Sequence, residues 1–286
     1  MTSKNIQATR LLSPFRYPGG KTWLVPLVRK WLNSITPKPT EFIEPFAGGA
    51  IVSLNVAFDQ LADHVTLAEI DRKVGSVWET IITKGEGLWL AERIKTFRPT
   101  VDSVKALLAK EEPSHRECAF QTIVHNRVSR GGILAEGAGL LKKGEDGKGL
   151  ASRWYPETLD RRIRTIHSIR ERLSFVWGDG AQVIHQNKDR SDVAFFIDPP
   201  YTAANGKQAG QRLYTHSELD HEALFRLIKE IQGNFIMTCD DNKYTRDMAI
   251  RYGFEIRAID MRNTHHAQMT ELIISHDLAW IDNEQT

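Results

Sequence analysis

Cysteine is scarce in this chain of 286 residues, which holds only Cys118 and Cys239. Two thiols so far apart in the sequence do not form a disulfide framework, and they fit a reducing compartment. No apolar run approaches the roughly 18 residues that a membrane span requires. The polar N-terminus lacks the apolar core of a signal peptide. These absences predict a cytoplasmic protein without a membrane partner.

Net charge is also small, since 38 basic residues stand against 36 acidic ones. The basic residues are nevertheless concentrated, because lysines and arginines outnumber acidic residues by 11 to 6 between positions 127 and 172. A solvated helix face is the more common origin of such a segment. A surface that binds nucleic-acid phosphates is the alternative.

Metal-ligand patterns are missing as well. The histidines, His265 and His266 included, have no acidic or cysteine partners at the spacing of a metal site. Cys239 ends an apolar run beside Asp240 and Asp241, which favours a packed core thiol over a nucleophile. We therefore predict no metal.

Short apolar runs alternate with stretches of helical periodicity, which predicts an α/β fold with a mostly parallel sheet covered on both faces. The last two runs are separated only by residues 260–270, too few for a crossover helix, so we expect them to pair antiparallel. The predicted strands are 41–46, 65–70, 193–197, 234–239, 254–259 and 271–275. The predicted helices of these two halves are 22–33, 50–60, 73–83, 217–231 with Ser217 as N-cap, and 243–252.

The middle of the chain, from about Gly85 to Leu173, has helix signals but no evident buried strand. The predicted helices there are 101–110, 117–128 and 156–173. Seven glycines are crowded between positions 131 and 149, which is typical of a loop. We interpret this region as a helical insertion with a flexible loop, set between the two halves of a doubly wound core.

The tetrapeptide Asp198-Pro199-Pro200-Tyr201 follows the apolar run 193–197. It therefore lies at the carboxyl end of a strand, where open parallel sheets bind ligands. Pro199 cannot donate to a sheet ladder, so regular pairing stops there and its carbonyl is free to face outward. A carboxylate, a fixed carbonyl and an aromatic ring suit a planar substrate with an exocyclic amine, which offers two N–H donors and a stacking face. A strand-ending turn with no further role is the competing interpretation.

A second motif, 44–50, has the sequence EPFAGGA and also joins a strand end to a helix. It has neither the GxGxxG spacing nor the lysine of a P-loop, which disfavours a phosphate cradle. Glu44 and Glu69 place two carboxylates on the same edge of the sheet, which favours a ligand with positive charge and hydroxyls. S-adenosylmethionine carries a sulfonium, an ammonium and a ribose diol and matches this description. On this motif alone, NAD binding and a purely structural turn explain the residues as well as S-adenosylmethionine binding does.

A third motif, 15–21, has the sequence FRYPGGK and precedes a predicted helix. An aromatic ring, two glycines and a lysine near a helix N-terminus can hold a carboxylate or an adenine face. An ordinary loop at a helix start explains the same residues equally well.

Taken together and in this order, the three motifs resemble those of the Dam-type DNA adenine-N6 methyltransferases, from Phe15 to Ser275 and loosely in the middle. Residues 17–21, YPGGK, resemble the family's N-terminal Trp-Ala-Gly-Gly-Lys motif, with Tyr17 in place of tryptophan. Residues 67–71, LAEID, are similar to its acidic stretch, residues 177–179, WGD, to its acidic segment before the catalytic strand, and residues 270–275, TELIIS, to its closing strand. The tetrapeptide at 198–201 matches its catalytic motif.

The resemblance implies a doubly wound, mostly parallel seven-stranded methyltransferase sheet with an antiparallel last strand, and an inserted, mainly helical target-recognition domain. The core is expected at 10–84 and 174–280 and the insertion at 85–173. The implied catalytic residues are Asp198, Pro199, Pro200 and Tyr201. The implied S-adenosylmethionine-binding residues are Tyr17, Gly20, Lys21, Glu44, Pro45, Phe46, Gly48, Gly49, Glu69, Asp71, Asp179 and Asp198.

The implied partner is double-stranded DNA, and the protein is expected to bind it as a monomer or weak dimer. A cognate restriction endonuclease is a possible second partner, and the expected location is the nucleoid. The expected DNA contacts are Asn126, Arg127, Arg130 and Arg153. Residues 126–132, NRVSRGG, depart from the family's Asn-Arg-x-x-Phe-Asn-Gly pattern, so the GATC recognition of the best-known members does not carry over. Arginine pairs bidentately with guanine or holds a phosphate, and both roles stay open here.

Three other functions compete with adenine-N6 transfer. DNA cytosine-N4 methylation uses the same donor geometry. RNA or protein amide methylation more often goes with Asn than with Asp at the head of the tetrapeptide. A DNA-binding module that retains the fold without turnover is the third, and the intact motifs disfavour it.

Overall fold

Seven strands form a single sheet in the computed structural model, which describes residues 8–16, 19–134, 139–141, 144, 148–200, 220–262 and 268–282. The order across the sheet is β3-β2-β1-β4-β5-β7-β6. The first five strands run parallel, and β7 is antiparallel to both β5 and β6. The strands are β1 Glu41–Glu44, β2 His64–Glu69, β3 Leu173–Trp177, β4 Val193–Ile197, β5 Asn234–Asp240, β6 Glu255–Arg262 and β7 Gln268–Ser275. The predicted seven-stranded, doubly wound fold with an antiparallel last strand is confirmed.

Alternate residues of the strands face opposite layers of helices, as the two-residue period of a strand requires. In β4, for example, Phe196 joins the hydrophobic cluster on one face of the sheet and Phe195 joins the cluster on the other. Both rings are fully buried. Because both faces are covered, β4 is apolar along its whole length, which is why its sequence was recognisable as a buried strand.

The helices of the two halves lie close to their predicted positions. They are α1 Val25–Ser34, α2 Ile51–Asp59, α3 Arg72–Ile82, α8 Gly180–Asn187, α9 His221–Ile228 and α10 Lys243–Tyr252. The start predicted for α9 is wrong: the helix begins at His221, where Asp220 accepts a hydrogen bond from the Ala223 amide at 2.9 Å as N-cap. Ser217, the predicted cap, lies outside the described residues.

Helices also fill the described part of the inserted region. They are α4 Glu86–Thr96, α5 Val101–Leu108, α6 His115–Val128 and α7 Pro156–Ser168. Their apolar residues, among them Leu90, Phe120 and Ile163, belong to the same hydrophobic cluster as the helices beside the sheet. The insertion is therefore packed continuously with the core, and its description as a separate recognition domain at 85–173 stays a prediction.

Strand β3 was missed by the apolar pattern, which extended a helix to Leu173. Helix α7 ends at Ser168 and Leu173 begins the strand. β3 lies at the edge of the sheet, and only its first residue is buried, so it lacks the continuous apolar run of the central strands. Within the described parts of the chain, no helix combines the length and apolar character needed to cross a membrane.

Candidate active site at the carboxyl edge of the sheet

An acidic residue stands at or just after the carboxyl end of each of the five parallel strands. In the order of the sheet these are Asp179 after β3, Glu69 of β2, Glu44 of β1, Asp198 after β4 and Asp240 of β5. Because the carboxyl ends of parallel strands meet at one edge, the side chains form a row that we call the carboxylate rim. This is the edge at which doubly wound sheets bind ligands.

Lys21 supplies positive charge to the centre of the rim. Its ammonium lies 3.0 Å from Asp198 Oδ1 and 3.1 Å from Glu271 Oε1, and it donates to the Gly19 carbonyl at 3.2 Å. Glu271 reaches this point because β7 pairs it with Asp240 of β5. Burial alone would lower the pKa of Lys21, but the two carboxylates outweigh it and raise the pKa well above its ordinary value. Lys21 is therefore a fixed cation beside the predicted catalytic carboxylate.

Asp198 is held from a second side by Thr238. The Thr238 hydroxyl donates to Asp198 Oδ1 at 2.7 Å from the neighbouring strand β5. The sheet pairing of β4 with β5 ends at Ile197, one residue before Asp198, as the following prolines require. Sequence reasoning did not single out Thr238, although a lone hydroxyl within the apolar run 234–239 was a usable signal. Tyr201 lies outside the described residues.

Glu69 is fixed by three backbone amides. Its Oε1 accepts hydrogen bonds from the amides of Ile70 and Asp71, both at 2.9 Å, and its Oε2 accepts one from Gly48 at 3.0 Å. Gly48 has a φ of 44°, in the left-handed region that glycine adopts without strain. Burial raises the pKa of Glu69 and the amides oppose that shift. Glu69 thus joins the end of β2 to the glycine-rich loop 44–49, and its contact with a cofactor stays a prediction.

Glu44 is buried at the start of helix α2. Its Oε2 accepts a hydrogen bond from the amide of Ser53 at 3.1 Å, in the first turn of that helix. A carboxylate at this position complements the positive end of the helix dipole. Burial nevertheless raises the pKa of Glu44 to about 8, with the nearby Asp198 charge adding to the rise. Glu44 therefore binds a proton more readily than a glutamate in water does.

Two of the predicted cofactor residues are helix caps. Asp71 accepts from the amides of Lys73 at 2.8 Å and Val74 at 3.1 Å at the start of α3. Asp179 accepts from those of Ala181 at 2.7 Å and Gln182 at 3.2 Å at the start of α8. Capping explains both residues structurally, and cofactor contact by either stays a prediction.

Gly180 brings Asp179 next to the glycine-rich loop. A Cβ on Gly180 would lie 2.5 Å from the Phe46 ring and 2.6 Å from the Pro45 carbonyl. Only glycine allows so close an approach of α8 to this loop. Gly49 in the same loop is half-buried, whereas Gly20 is exposed and Tyr17 lies outside the described residues.

Trp78 connects two of the predicted motifs, and sequence reasoning missed it. Its ring is fully buried in α3 and meets Phe15 edge-on, with the ring centroids 5.5 Å apart. Its Nε1 donates to the Gly48 carbonyl at 2.8 Å. The tryptophan therefore holds the 15–21 segment and the glycine-rich loop against one helix.

The predicted DNA contacts divide into two groups. Asn126 is fully buried, accepts from the Arg16 amide at 2.8 Å, and donates to the carbonyls of Arg16 and Gly132 at 3.0 and 2.6 Å. Arg127 is 5% exposed and donates to the Pro14 carbonyl at 2.7 Å. As placed, Asn126 cannot reach a base edge, so its predicted DNA contact is corrected to a structural one. Arg130 is exposed and Arg153 half-buried, and their DNA contacts stay predictions.

Cys239 is a core thiol, as predicted. It is buried in β5, and burial raises the pKa of its thiol. Among the described residues, no three His, Cys, Asp or Glu side chains are grouped so that they could hold a metal ion. His265 and His266 lie outside the described residues.

Residues 17–117 match the family model described as D12 class N6 adenine-specific DNA methyltransferase. The Dam-type resemblance is thereby confirmed over this part of the chain. A search of curated proteins finds no match. Together, the family match and the doubly wound sheet support a methyltransferase that uses S-adenosylmethionine.

Three solved structures that are similar to this chain are described as methyltransferases. The B. subtilis tRNA methyltransferase TrmK has 10% identity over 86% of this chain and 64% of its own, with a TM-score of 0.35. The precorrin-6y C5,15-methyltransferase of Geobacter metallireducens has 7% identity over 87% and 85%, with a TM-score of 0.36. A SAM-dependent methyltransferase of Agrobacterium tumefaciens has 6% identity over 89% and 61%, with a TM-score of 0.37. At these values we base nothing about the substrate on them.

Proposed function

We propose that this methyltransferase transfers a methyl group from S-adenosylmethionine to the N6 amine of an adenine that is flipped out of duplex DNA. The observation that carries the proposal is the position of Asp198. It follows directly on a central buried strand, and Lys21 and Thr238 hold its carboxylate from two sides. Because this carboxylate is already ordered, it can accept a hydrogen bond from an exocyclic amine without a further loss of conformational entropy.

The carboxylate rim fits the cofactor. Among the described residues, the rim and Glu271 together provide six carboxyl groups, and Lys21 provides the one ammonium group that contacts them. Even with Glu44 protonated, the carboxylates outnumber the ammonium, and this excess of negative charge repels a nucleotide triphosphate and attracts a ligand with a sulfonium, an ammonium and hydroxyl donors. Glu69, oriented by its three amides, would hold hydroxyls, and the 44–49 loop would lie against the ligand. When bound, S-adenosylmethionine supplies the methyl group.

The residues of the tetrapeptide orient the base. Asp198 and the carbonyl of Pro199 accept hydrogen bonds from the two N6 N–H groups, which draws the nitrogen lone pair out of conjugation with the ring. After the methyl group has passed to N6, the extra proton on this nitrogen leaves. Tyr201 stacks on the flipped base. Catalysis therefore rests on positioning and on charge placement. Double-stranded DNA is the proposed partner, while a companion restriction endonuclease, the nucleoid location and the oligomeric state stay predictions.

The test compares Asp198→Asn and Asp198→Ala with the wild type. Transfer of labelled methyl groups to DNA should fall by at least about 100-fold in both variants, the effect of removing one positioned polar group from an active site. Binding of the cofactor should persist. Asp189→Asn, an exposed aspartate before the amino end of the same strand, is the matched control and should behave as the wild type.

The base is identified by digesting the modified DNA to nucleosides and separating them by mass. Detection of N6-methyl-2′-deoxyadenosine supports the proposal, and detection of N4-methyl-2′-deoxycytidine would identify cytosine instead of adenine as the target. Normal transfer by folded, cofactor-bound Asp198→Ala would reject the role of the carboxylate. No transfer by the wild type to any duplex would reject the enzyme in favour of a binding module.

A further inference from the structure

Three arginines from distant parts of the chain meet around residues 13–16. Arg127, near the end of α6, donates to the Pro14 carbonyl at 2.7 Å. Arg162 of α7 donates to the Ser13 carbonyl at 2.8 Å. Arg16 belongs to the segment itself. We call these three residues the arginine cluster.

The backbone of Arg16 is fixed on the opposite side. The Asn126 side chain bonds both its amide and its carbonyl, at 2.8 and 3.0 Å. Gly132, with a φ of 74°, lies so close that a Cβ there would be 2.4 Å from the Arg16 carbonyl. The fold therefore fixes the backbone of Arg16 and, through the carbonyls of Pro14 and Ser13, the positions of Arg127 and Arg162.

The positive charge of the cluster has no carboxylate partner within the described part of the chain. Among the described residues, no carboxylate lies within ion-pair distance of Arg16, Arg127 or Arg162. The hydrogen bonds of Arg127 and Arg162 go to backbone carbonyls instead. Within the described ranges, the buried Nη1 of Arg16 and Nε of Arg127 have no hydrogen-bond partner. Burial of this kind is costly for a cation unless an anion is supplied from outside.

The charges also act on one another. Burial, followed by the charges of Arg162 and Arg16, lowers the pKa of Arg127 to about 9. Burial and then the charge of Arg153 lower the pKa of Arg16. Mutual repulsion of like charges is the expected state of a site that binds an anion, because the ligand relieves it.

We propose that the arginine cluster is a phosphate-binding site that takes a backbone phosphate of the DNA substrate. That the phosphate belongs to DNA rests on the proposed function. That the site binds a phosphate rests on the arginine cluster alone. Guanidinium groups present several N–H donors in a fixed plane that matches phosphate oxygens, which makes arginine the preferred residue for this anion. Contacts to backbone phosphates set the register of a protein on its duplex.

The covalent chain limits how far this phosphate lies from the reacting base. Arg16 and Lys21 are five residues apart, so their Cα atoms are at most about 18 Å apart. The rise of one strand is about 3.4 Å per nucleotide, so this distance corresponds to about five nucleotides. The bound phosphate therefore belongs to the DNA that flanks the flipped base.

The experiment measures the affinity for a labelled duplex of about 20 base pairs over a range of NaCl concentrations. Each phosphate contact contributes a slope of about −0.9 to log K against log salt. Arg162→Gln removes the charge and leaves a polar side chain. The slope should become less steep by about one such unit, and binding should weaken equally for unrelated sequences. Arg16→Gln should show the same loss, and Arg162→Lys should retain the slope.

Arg164→Gln is the matched control. Arg164 lies on the same helix but is paired with Asp160 at 2.7 Å and Glu92 at 3.4 Å, so its slope should equal that of the wild type. A parallel arm follows the melting temperature of each protein against inorganic phosphate at constant ionic strength. Stabilisation of the wild type but not of Arg162→Gln identifies a phosphate site independently of DNA.

The outcomes separate the two proposals. An unchanged slope in folded Arg162→Gln and Arg16→Gln, with normal DNA binding by the wild type, overturns the cluster as a DNA contact. Stabilisation by inorganic phosphate in that case assigns the site to a free phosphate. No DNA binding by the wild type rejects the DNA substrate, and the phosphate arm still decides the chemistry of the cluster. No effect in either arm rejects the phosphate site.

Discussion

The carboxylate rim and the arginine cluster lie at the two ends of one short segment, residues 16–21, and they neutralise charge in different ways. At the rim, Lys21 is bonded to two carboxylates and Glu69 to three amides. In the cluster, Arg127 and Arg162 donate to backbone carbonyls, and the charges of Arg162 and Arg16 lower the pKa of Arg127 further than burial alone. A carbonyl oxygen satisfies an N–H donor but contributes only a partial charge, so the cluster keeps its positive charge.

This difference indicates opposite ligands for the two regions. The rim retains an excess of carboxylates and suits a cation, whereas the cluster suits an anion. A methyl transfer from a sulfonium cofactor to DNA requires one region of each kind. The comparison can be tested by removing charge from each region in turn.

The largest effect is expected for Lys21→Met, which removes the cation between Asp198 and Glu271. Loss of one partner from a buried ion pair costs about 3 kcal/mol of the free energy of unfolding, measured by urea denaturation. Because Asp198 loses a fixed donor, kcat should fall about 100-fold. The dissociation constant of the cofactor should change little, since the ammonium contacts the catalytic carboxylate.

The control for this variant is Lys38→Met. Lys38 pairs with Asp63 at 2.5 Å in an exposed position, where ion pairs contribute little, so both kcat and stability should stay near the wild type. A large rise in the cofactor dissociation constant of Lys21→Met with an unchanged kcat would restore the cofactor-binding role predicted from the sequence and contradict the positioning role.

The rim was largely predictable from the sequence and the cluster was not. Glu44, Glu69 and Asp198 each end or follow an apolar run, so one-dimensional reasoning places them at one edge. Arg16, Arg127 and Arg162 are spread over 146 positions, and nothing in composition or spacing tells a buried arginine from an exposed one. The prediction that the basic segment is mostly a solvated helix face fits Arg164 but not Arg162.

Partners inside the site were also beyond the sequence. Thr238 and Glu271 reach Asp198 and Lys21 only through the pairing of β5 with β4 and β7. Edge strand β3 was missed because its residues are only partly buried. The order of the strands in the sheet therefore decides which side chains meet, and local sequence patterns do not predict that order.

The second test uses the raised pKa of Glu44, about 8 in the folded protein against an ordinary value of 4.5. Between these values the folded state holds a proton that the unfolded state has released. The free energy of unfolding should therefore decline as pH rises from about 5 to 8, by up to about 1.4 kcal/mol per pH unit. Glu44→Gln keeps an acceptor for the Ser53 amide and should remove this part of the decline. Equal pH dependence in the two proteins would show that Glu44 is ionised throughout.

A smaller effect is expected for Glu69→Gln, which tests how the rim is ordered. A glutamine can still accept from the amides of Ile70 and Asp71, but its NH2 group would then face the N–H of Gly48. Loss of a hydrogen bond to a charged group costs about 1.5 kcal/mol, or roughly tenfold in the affinity for S-adenosylmethionine. Calorimetric titration measures it, with Glu41→Gln at the opposite edge of the sheet as control. Unchanged affinity would remove Glu69 from the cofactor site.

The smallest effect, and the sharpest test of the comparison, is the stability of Arg162→Gln. Removal of a charge from the rim at Lys21 leaves buried carboxylates without their cation, whereas removal of Arg162 takes a like charge away from Arg127. The glutamine amide is two bonds shorter than the guanidinium, so loss of the hydrogen bond from Arg162 Nη1 to the Ser13 carbonyl offsets part of this gain. The free energy of unfolding should therefore stay the same or rise, by no more than about 1 kcal/mol because Arg162 is half-buried and partly screened.

Urea denaturation at low and high salt measures this free energy, and salt should diminish the gain. A loss of stability comparable to that of Lys21→Met would mean that the cluster is already neutralised within the protein, and the contrast between the two regions would then fail.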